Sequence, residues 1–201
     1  MIMKTINTAT RFMLWSAMVG SAAFMQVASA NEQTAYDLAK EGNRYVGEQS
    51  KDQIVQIRSE KSVGSLTPDM WYVVYYDPDA PLKAVEVKFG AGKKMDVKRP
   101  ARLIEPIIKA QDPLPKDKLK VDSDEALKIA SKEPLLARLT LKASQLTLER
   151  RSVSDETAVW KVRLWAAKLK NPNDNVDVGE VIVSVADGTV LKSDLKPDHV
   201  D

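Results

Sequence analysis

The sequence predicts an α+β protein of two αβββ repeats, each an antiparallel sheet with one helix packed on one face. Three observations carry this expectation. Two tryptophan-bearing runs, "MWYVVYYD" from Met70 to Asp77 and "AVWKVRLWAA" from Ala158 to Ala167, place apolar residues on alternate positions, as half-buried strands do. Each run is preceded by a helix-start pattern and a shorter alternating run, and followed by another that ends near a glycine. Corresponding features lie about 90 residues apart, as in a duplicated unit.

The first thirty residues read differently from the rest. Lys4 and Arg11 precede an apolar run from Phe12 to Val27, and Ala28-Ser29-Ala30 closes it with small residues at the spacing of a cleavage site. This is the pattern of a secretory signal peptide covering residues 1–30. A membrane anchor is the competing reading, but Ser16, Gly20, Ser21 and Gln26 interrupt the run, and a span normally needs about 20 continuous apolar residues. The expected location is therefore the periplasm or the cell exterior.

Loss of residues 1–30 removes Lys4 and Arg11 and no acid, which leaves 28 basic residues against the 28 acidic ones. The pI of about 8.6 thus belongs in part to the leader, and a nucleic-acid partner, whose binding rests on net positive charge, is not expected. There is no cysteine. That excludes disulfides, thiolate metal sites and a cysteine nucleophile, so the exported chain must hold together by its core.

The first repeat is read over 31–102. Thr34-Ala-Tyr-Asp37 has the form of a capping box, with Ala35, Leu38 and Ala39 on one helical face before Gly42. Strand patterns follow in "QIVQIRSEKS" from Gln53, in the Trp71 run, and in "KAVEVKFGAGKKMDV", with Gly90 marking the turn. A linker over 103–121 carries several prolines, which argues against a long helix there. The second repeat, 122–201, repeats the order. Asp122-Ser-Asp-Glu125 offers the same reciprocal cap, Ala126, Leu127, Ile129 and Ala130 give the apolar face, and Pro134 stops the helix. "QLTLERRSVS" from Gln145, the Trp160 run and "GEVIVSVADGTVLKS" with Gly188 supply its strands.

The helix "SDEALKIA", the strand "AVWKVRL" and the closing "VIVSVADGTVL" together resemble the PepSY domain, the second copy more closely than the first. The tandem arrangement is also similar to the fold of the β-lactamase inhibitor protein. These resemblances imply an extracytoplasmic, protein-binding module, including inhibition of a secreted peptidase or other enzyme, with no cofactor. They supply no catalytic residue. A structural or assembly factor of the cell envelope is the alternative.

Signatures of catalysis are missing from the sequence itself. The only histidine, His199, lies near the C-terminus, which leaves Ser-His-Asp catalysis and histidine-based zinc sites without a centre. Neither glycine-rich phosphate loops nor a G-x-S-x-G elbow occur. No enzyme activity and no metal site are expected. The loop "NPNDNVDVGE" from Asn171 to Glu180 gathers Asp174, Asp177 and Glu180, oxygen ligands that suit calcium, but the same residues are those turns prefer. Lys93, Lys94, Lys98, Arg99 and Arg102 form a basic stretch readable either as a guarded sheet edge or as a contact for an acidic partner or anionic lipid.

The tryptophan strands are the most informative about binding. One face of each, Trp71, Val73 and Tyr75 and then Trp160, Val162 and Leu164, is the side expected under the helix. The opposite face carries Tyr72, Val74 and Tyr76 in one copy and Lys161, Arg163 and Trp165 in the other. Aromatic residues and arginine dominate interface hot spots, so Tyr72, Tyr76, Lys161, Arg163 and Trp165 are the candidate partner-binding residues. The competing reading packs these rings between the copies as core.

Overall fold

The structure is a computed structural model that describes residues 33–100 and 112–201. The proposed signal peptide and residues 101–111, including Arg102 and the first part of the expected linker, lie outside the described residues. All of the described residues fall in one compact unit.

Helix α1 (Ala35–Gly42) starts as its sequence dictates. The Thr34 hydroxyl accepts from the Asp37 backbone N–H and the Asp37 carboxylate accepts from the Thr34 N–H. Strands β1 (Ile54–Ser59), β2 (Met70–Tyr76), β3 (Ala84–Gly90) and β4 (Lys93–Lys98) follow, then α2 (Ser123–Ser131), β5 (Leu141–Arg150), β6 (Ala158–Ala167), β7 (Asn175–Ser184) and β8 (Val190–Leu195). The strands form one antiparallel sheet in the order β4-β3-β2-β1-β5-β6-β7-β8.

This corrects the expectation of two αβββ repeats with separate sheets. The protein is dominated by a single eight-stranded sheet with two short helices. Two physical causes account for the difference. First, β1 and β5 would each be a bare edge in a separate sheet, and instead they pair with each other, Ile57 opposite Leu148 and Arg58 opposite Thr147. Second, "KAVEVKFGAGKKMDV" is a complete hairpin: Ala91 and Gly92, at φ 46° and 74°, form a two-residue turn with both φ positive, so the chain doubles back and β4 pairs with β3. The glycine that makes this turn is Gly92, while Gly90 is the last residue of β3. β8 likewise doubles back on β7, through a longer loop between Ser184 and Val190 in which Gly188 takes φ 76°.

The core lies on one face of the sheet, under both helices. Trp71, Val73 and Tyr75, and Trp160, Val162 and Leu164, are all buried there, together with Leu38 of α1 and Leu127 of α2, in one continuous cluster. The Tyr75 hydroxyl donates to the Ala39 carbonyl at 2.5 Å, and a Cβ at Gly42 would collide with that hydroxyl. Glycine at Gly42 therefore makes room for the buried ring.

The two helices meet at their N-termini. Asp122 is the N-cap of α2, accepting from Ser123 N–H at 2.6 Å, but no reciprocal box forms. Its carboxylate also accepts from the Tyr36 N–H of α1 at 3.2 Å, and the Ser123 hydroxyl accepts from Ala35 N–H at 3.0 Å. Helix starts leave unpaired donors, and here the second helix satisfies those of the first. Tyr36 then stacks on Trp160, with ring centroids 6.2 Å apart, and both rings donate to the Val121 carbonyl.

Candidate functional site

The sheet face turned away from the helices is defined by strand register. Asp96, Lys88, Tyr72, Arg58, Thr147, Lys161, Ile182 and Lys192 are successive cross-strand neighbours, one from each strand. At ordinary strand spacing this row extends about 34 Å. A neighbouring row carries Arg163, Glu180 and Asp194.

Because β1 pairs with β5, all five sequence-predicted binding residues come to this one face. They are not buried between two sheets. Tyr72, Tyr76, Lys161 and Trp165 are half-buried and Arg163 is exposed. They do not form one tight cluster, however, but three groups along the sheet.

The first group surrounds Tyr72. The Arg58 guanidinium lies 4.1 Å from its ring centroid and the Lys88 ammonium 5.0 Å, while its hydroxyl donates to Glu60. That hydrogen bond, with help from Lys88, holds the Glu60 carboxyl below the ordinary range. Arg58 also bonds Glu86 at 2.5 Å. The ring is thus held by cations of its own chain, and such contacts strengthen when partly desolvated.

The second group is centred on Trp165. Lys61 lies 4.6 Å and Arg163 5.8 Å from its ring centroid. Lys61 is also tied to Asn175 at 2.6 Å, and Arg163 makes a two-pronged contact with Asp177 at 2.7 and 2.5 Å. Between the two groups, Lys161 bonds Glu149 at 2.5 Å, and Gln56 donates to the other oxygen of Glu149 at 2.9 Å. This buried carboxylate links β1, β5 and β6 across the middle of the sheet. The third group is small and apolar: Tyr76 packs on Val55, Val74 and Ala84. Val55 reaches this face because the β1 register shifts between Ile54 and Gln56.

A groove of about 400 Å³ lies at the β6–β8 end, lined by Arg163, Asp177, Glu180, Asp194, Lys196 and His199. The His199 ring lies 3.1 Å from the Asp177 carbonyl. Gly179 also lines it, at φ 108°, where a Cβ would strike the Asp194 carbonyl, so glycine allows β7 and β8 to close at that point.

The acidic loop resolves into a turn and a strand. Asp174 bonds Asn171 within the turn, and Asp177 and Glu180 are strand residues, the former committed to Arg163. Among the described residues no group of three or more His, Cys, Asp or Glu side chains is placed to hold a metal ion. Most of the basic stretch is also engaged: Lys98 pairs with Asp96, Arg99 with the buried Asp77, and Lys94 lies over Tyr45. Among the described residues no helix is long and apolar enough to cross a membrane.

Sequence reasoning did not single out Arg58, Glu86, Gln56, Glu149 or Lys61. Their polar positions within alternating strands were visible, but which acid met which base depended on register. No family model, curated protein or solved structure matches this chain.

Proposed function

We propose that the protein is exported and binds another protein through the outer face of its sheet, without catalysing a reaction. One observation supports this most: Tyr72, Tyr76 and Trp165 stand half-buried on a face that no described helix covers, while the core is already complete on the other side. Rings held by neighbouring cations lose little freedom when a partner covers them, and such rings with arginine beside them suit an interface centre. The paired charges around them, Arg58 with Glu86 and Lys161 with Glu149, leave few unmatched ions to desolvate. The resemblance to PepSY modules points to the same class of role, inhibition of a secreted enzyme being one form of it.

The test is capture of partners from the native envelope by the purified protein, compared with Tyr76→Ala and Trp165→Ala. The expected result is one stoichiometric partner whose affinity falls by at least ~2 kcal/mol in each variant while folding is retained. Lys161→Ala should cost less and act mainly on the association rate and its salt dependence. Undiminished affinity in both aromatic variants would remove the outer face from the binding surface.

A further inference from the structure

We propose that the protein associates with a second copy of itself through β8, the two β8 strands pairing antiparallel about Ser193. The two ends of the sheet are built differently. β4 is one edge and β8 the other, and among the described residues neither has an outer strand partner. β4 carries Lys93, Lys94 and Lys98. Self-pairing of β4 about Asp96, or about the Met95–Asp96 peptide, would set lysine against lysine, a common defence of a sheet edge.

β8 has the opposite character. Its sequence, VLKSDL, is complementary to itself when reversed about Ser193: Lys192 falls opposite Asp194 of the second copy, and Asp194 opposite Lys192. Both side chains are on the same face, as their 3.6 Å contact within one strand shows. Leu191 would face Leu195 of the second copy. The backbone is poised for this. Lys196 N–H donates to the Val178 carbonyl at 2.8 Å, so by strand alternation Asp194 and Lys192 direct their backbone groups toward β7, while Ser193 and Leu195 direct theirs outward. Ser193 is exposed and would exchange both of its backbone hydrogen bonds with Ser193 of the second copy.

Electrostatics favours the same occupant. Register places Glu180 directly opposite Asp194, two like charges side by side. Arg163, on the other side of Glu180, turns to Asp177 instead. Asp194 contacts Lys192 of its own strand at 3.6 Å, and pairing would bring a second cation, Lys192 of the second copy, beside the acidic pair. The bulge at Leu191, between the Ile182–Lys192 and Val183–Val190 pairs, limits the pairing to Leu191–Leu195. Contact over so short a stretch is below the area of a permanent dimer, so the association is reversible and depends on concentration. It joins two sheets edge to edge.

Sedimentation velocity over a concentration series of the purified protein tests this directly. The expected result is a monomer–dimer equilibrium weakened about tenfold by K192D or D194K alone, because each sets like charges opposite at two symmetric positions. The combined variant, K192D with D194K, restores the complementarity and should recover the wild-type constant. Ser193→Pro removes the outward N–H at the symmetry axis and should leave only monomer, and the exposed charge reversals keep the test valid even if the proline disturbs the fold. A protein that stays monomeric at every concentration, a dimer that survives both single reversals, or a double variant no stronger than the singles would overturn the proposal.

Discussion

Trp71 and Trp160 show how a single side chain can serve both packing and hydrogen bonding. Each is buried under the helices, and each indole N–H has a carbonyl partner, Pro68 for Trp71 and Val121 for Trp160, both at 2.9 Å. Replacement by alanine removes a large buried ring and leaves a cavity, so Trp71→Ala and Trp160→Ala should each cost about 3–5 kcal/mol in urea unfolding. Wild-type stability in both would contradict the face assignment. Asp122 sets a different kind of balance. Burial raises its carboxyl above the ordinary value of 3.8, although hydrogen bonds from Thr34, Ser123 and Tyr36 pull the other way. An acid raised on folding holds more protons folded than unfolded between the two values. Its contribution to stability is therefore largest at low pH and diminishes as pH rises through that window. Asp122→Ala orphans donors at both helix starts and should cost about 1–3 kcal/mol. Urea titrations at both pH values should show a larger deficit near pH 4 than at pH 7, and an equal or smaller deficit at pH 4 would show that the hydrogen bonds outweigh burial.

At the scale of elements, the helices and most strands could be read directly, because the physics that forms them is local. The Thr34 cap, the Asp122 start, the apolar face of α2 and the alternation around Trp71 and Trp160 each declare themselves within a few residues. What could not be read was non-local. Ala91-Gly92 lacks the Asn or Asp that usually marks a turn with both φ positive, so the sequence placed the turn at Gly90 and gave no strand beyond it to pair with β3. The pairing of β1 with β5 depends on two edges about 90 residues apart finding each other, which no window of sequence displays. The candidate site shares this division. Alternation identified the face that holds Tyr72, Tyr76, Lys161, Arg163 and Trp165, whereas the pairing of Tyr72 with Glu60, Lys161 with Glu149 and Arg163 with Asp177 emerged only once register was known.

For the whole molecule, the decisive feature is the joint between β1 and β5. Its backbone pairing is short, Ile57 with Leu148 and Arg58 with Thr147, but contacts on both faces extend it. On the helix side, Ser59 accepts from Leu146 N–H at 2.9 Å, and α1 and α2 share Asp122, Ser123 and the stacked Tyr36 and Trp160. On the outer side, Gln56 reaches Glu149, and beyond the paired residues the Ser62 hydroxyl accepts from Ser144 N–H at 2.9 Å. Either half alone would expose a strand edge, part of a common core and a set of orphaned donors, at a size where burial is barely sufficient for stability. The two halves should therefore unfold together. Trp71 lies in the first half and Trp160 and Trp165 in the second, so fluorescence of the chain without residues 1–30, as a Trp160→Phe/Trp165→Phe variant and as a Trp71→Phe variant, can follow each side and be compared with far-UV circular dichroism of the same sample. Coincident transitions within each variant are expected, as for a single cooperative unit. A separated transition, with one half melting while the other retains its signal, would mean that the β1–β5 joint couples two domains that fold on their own.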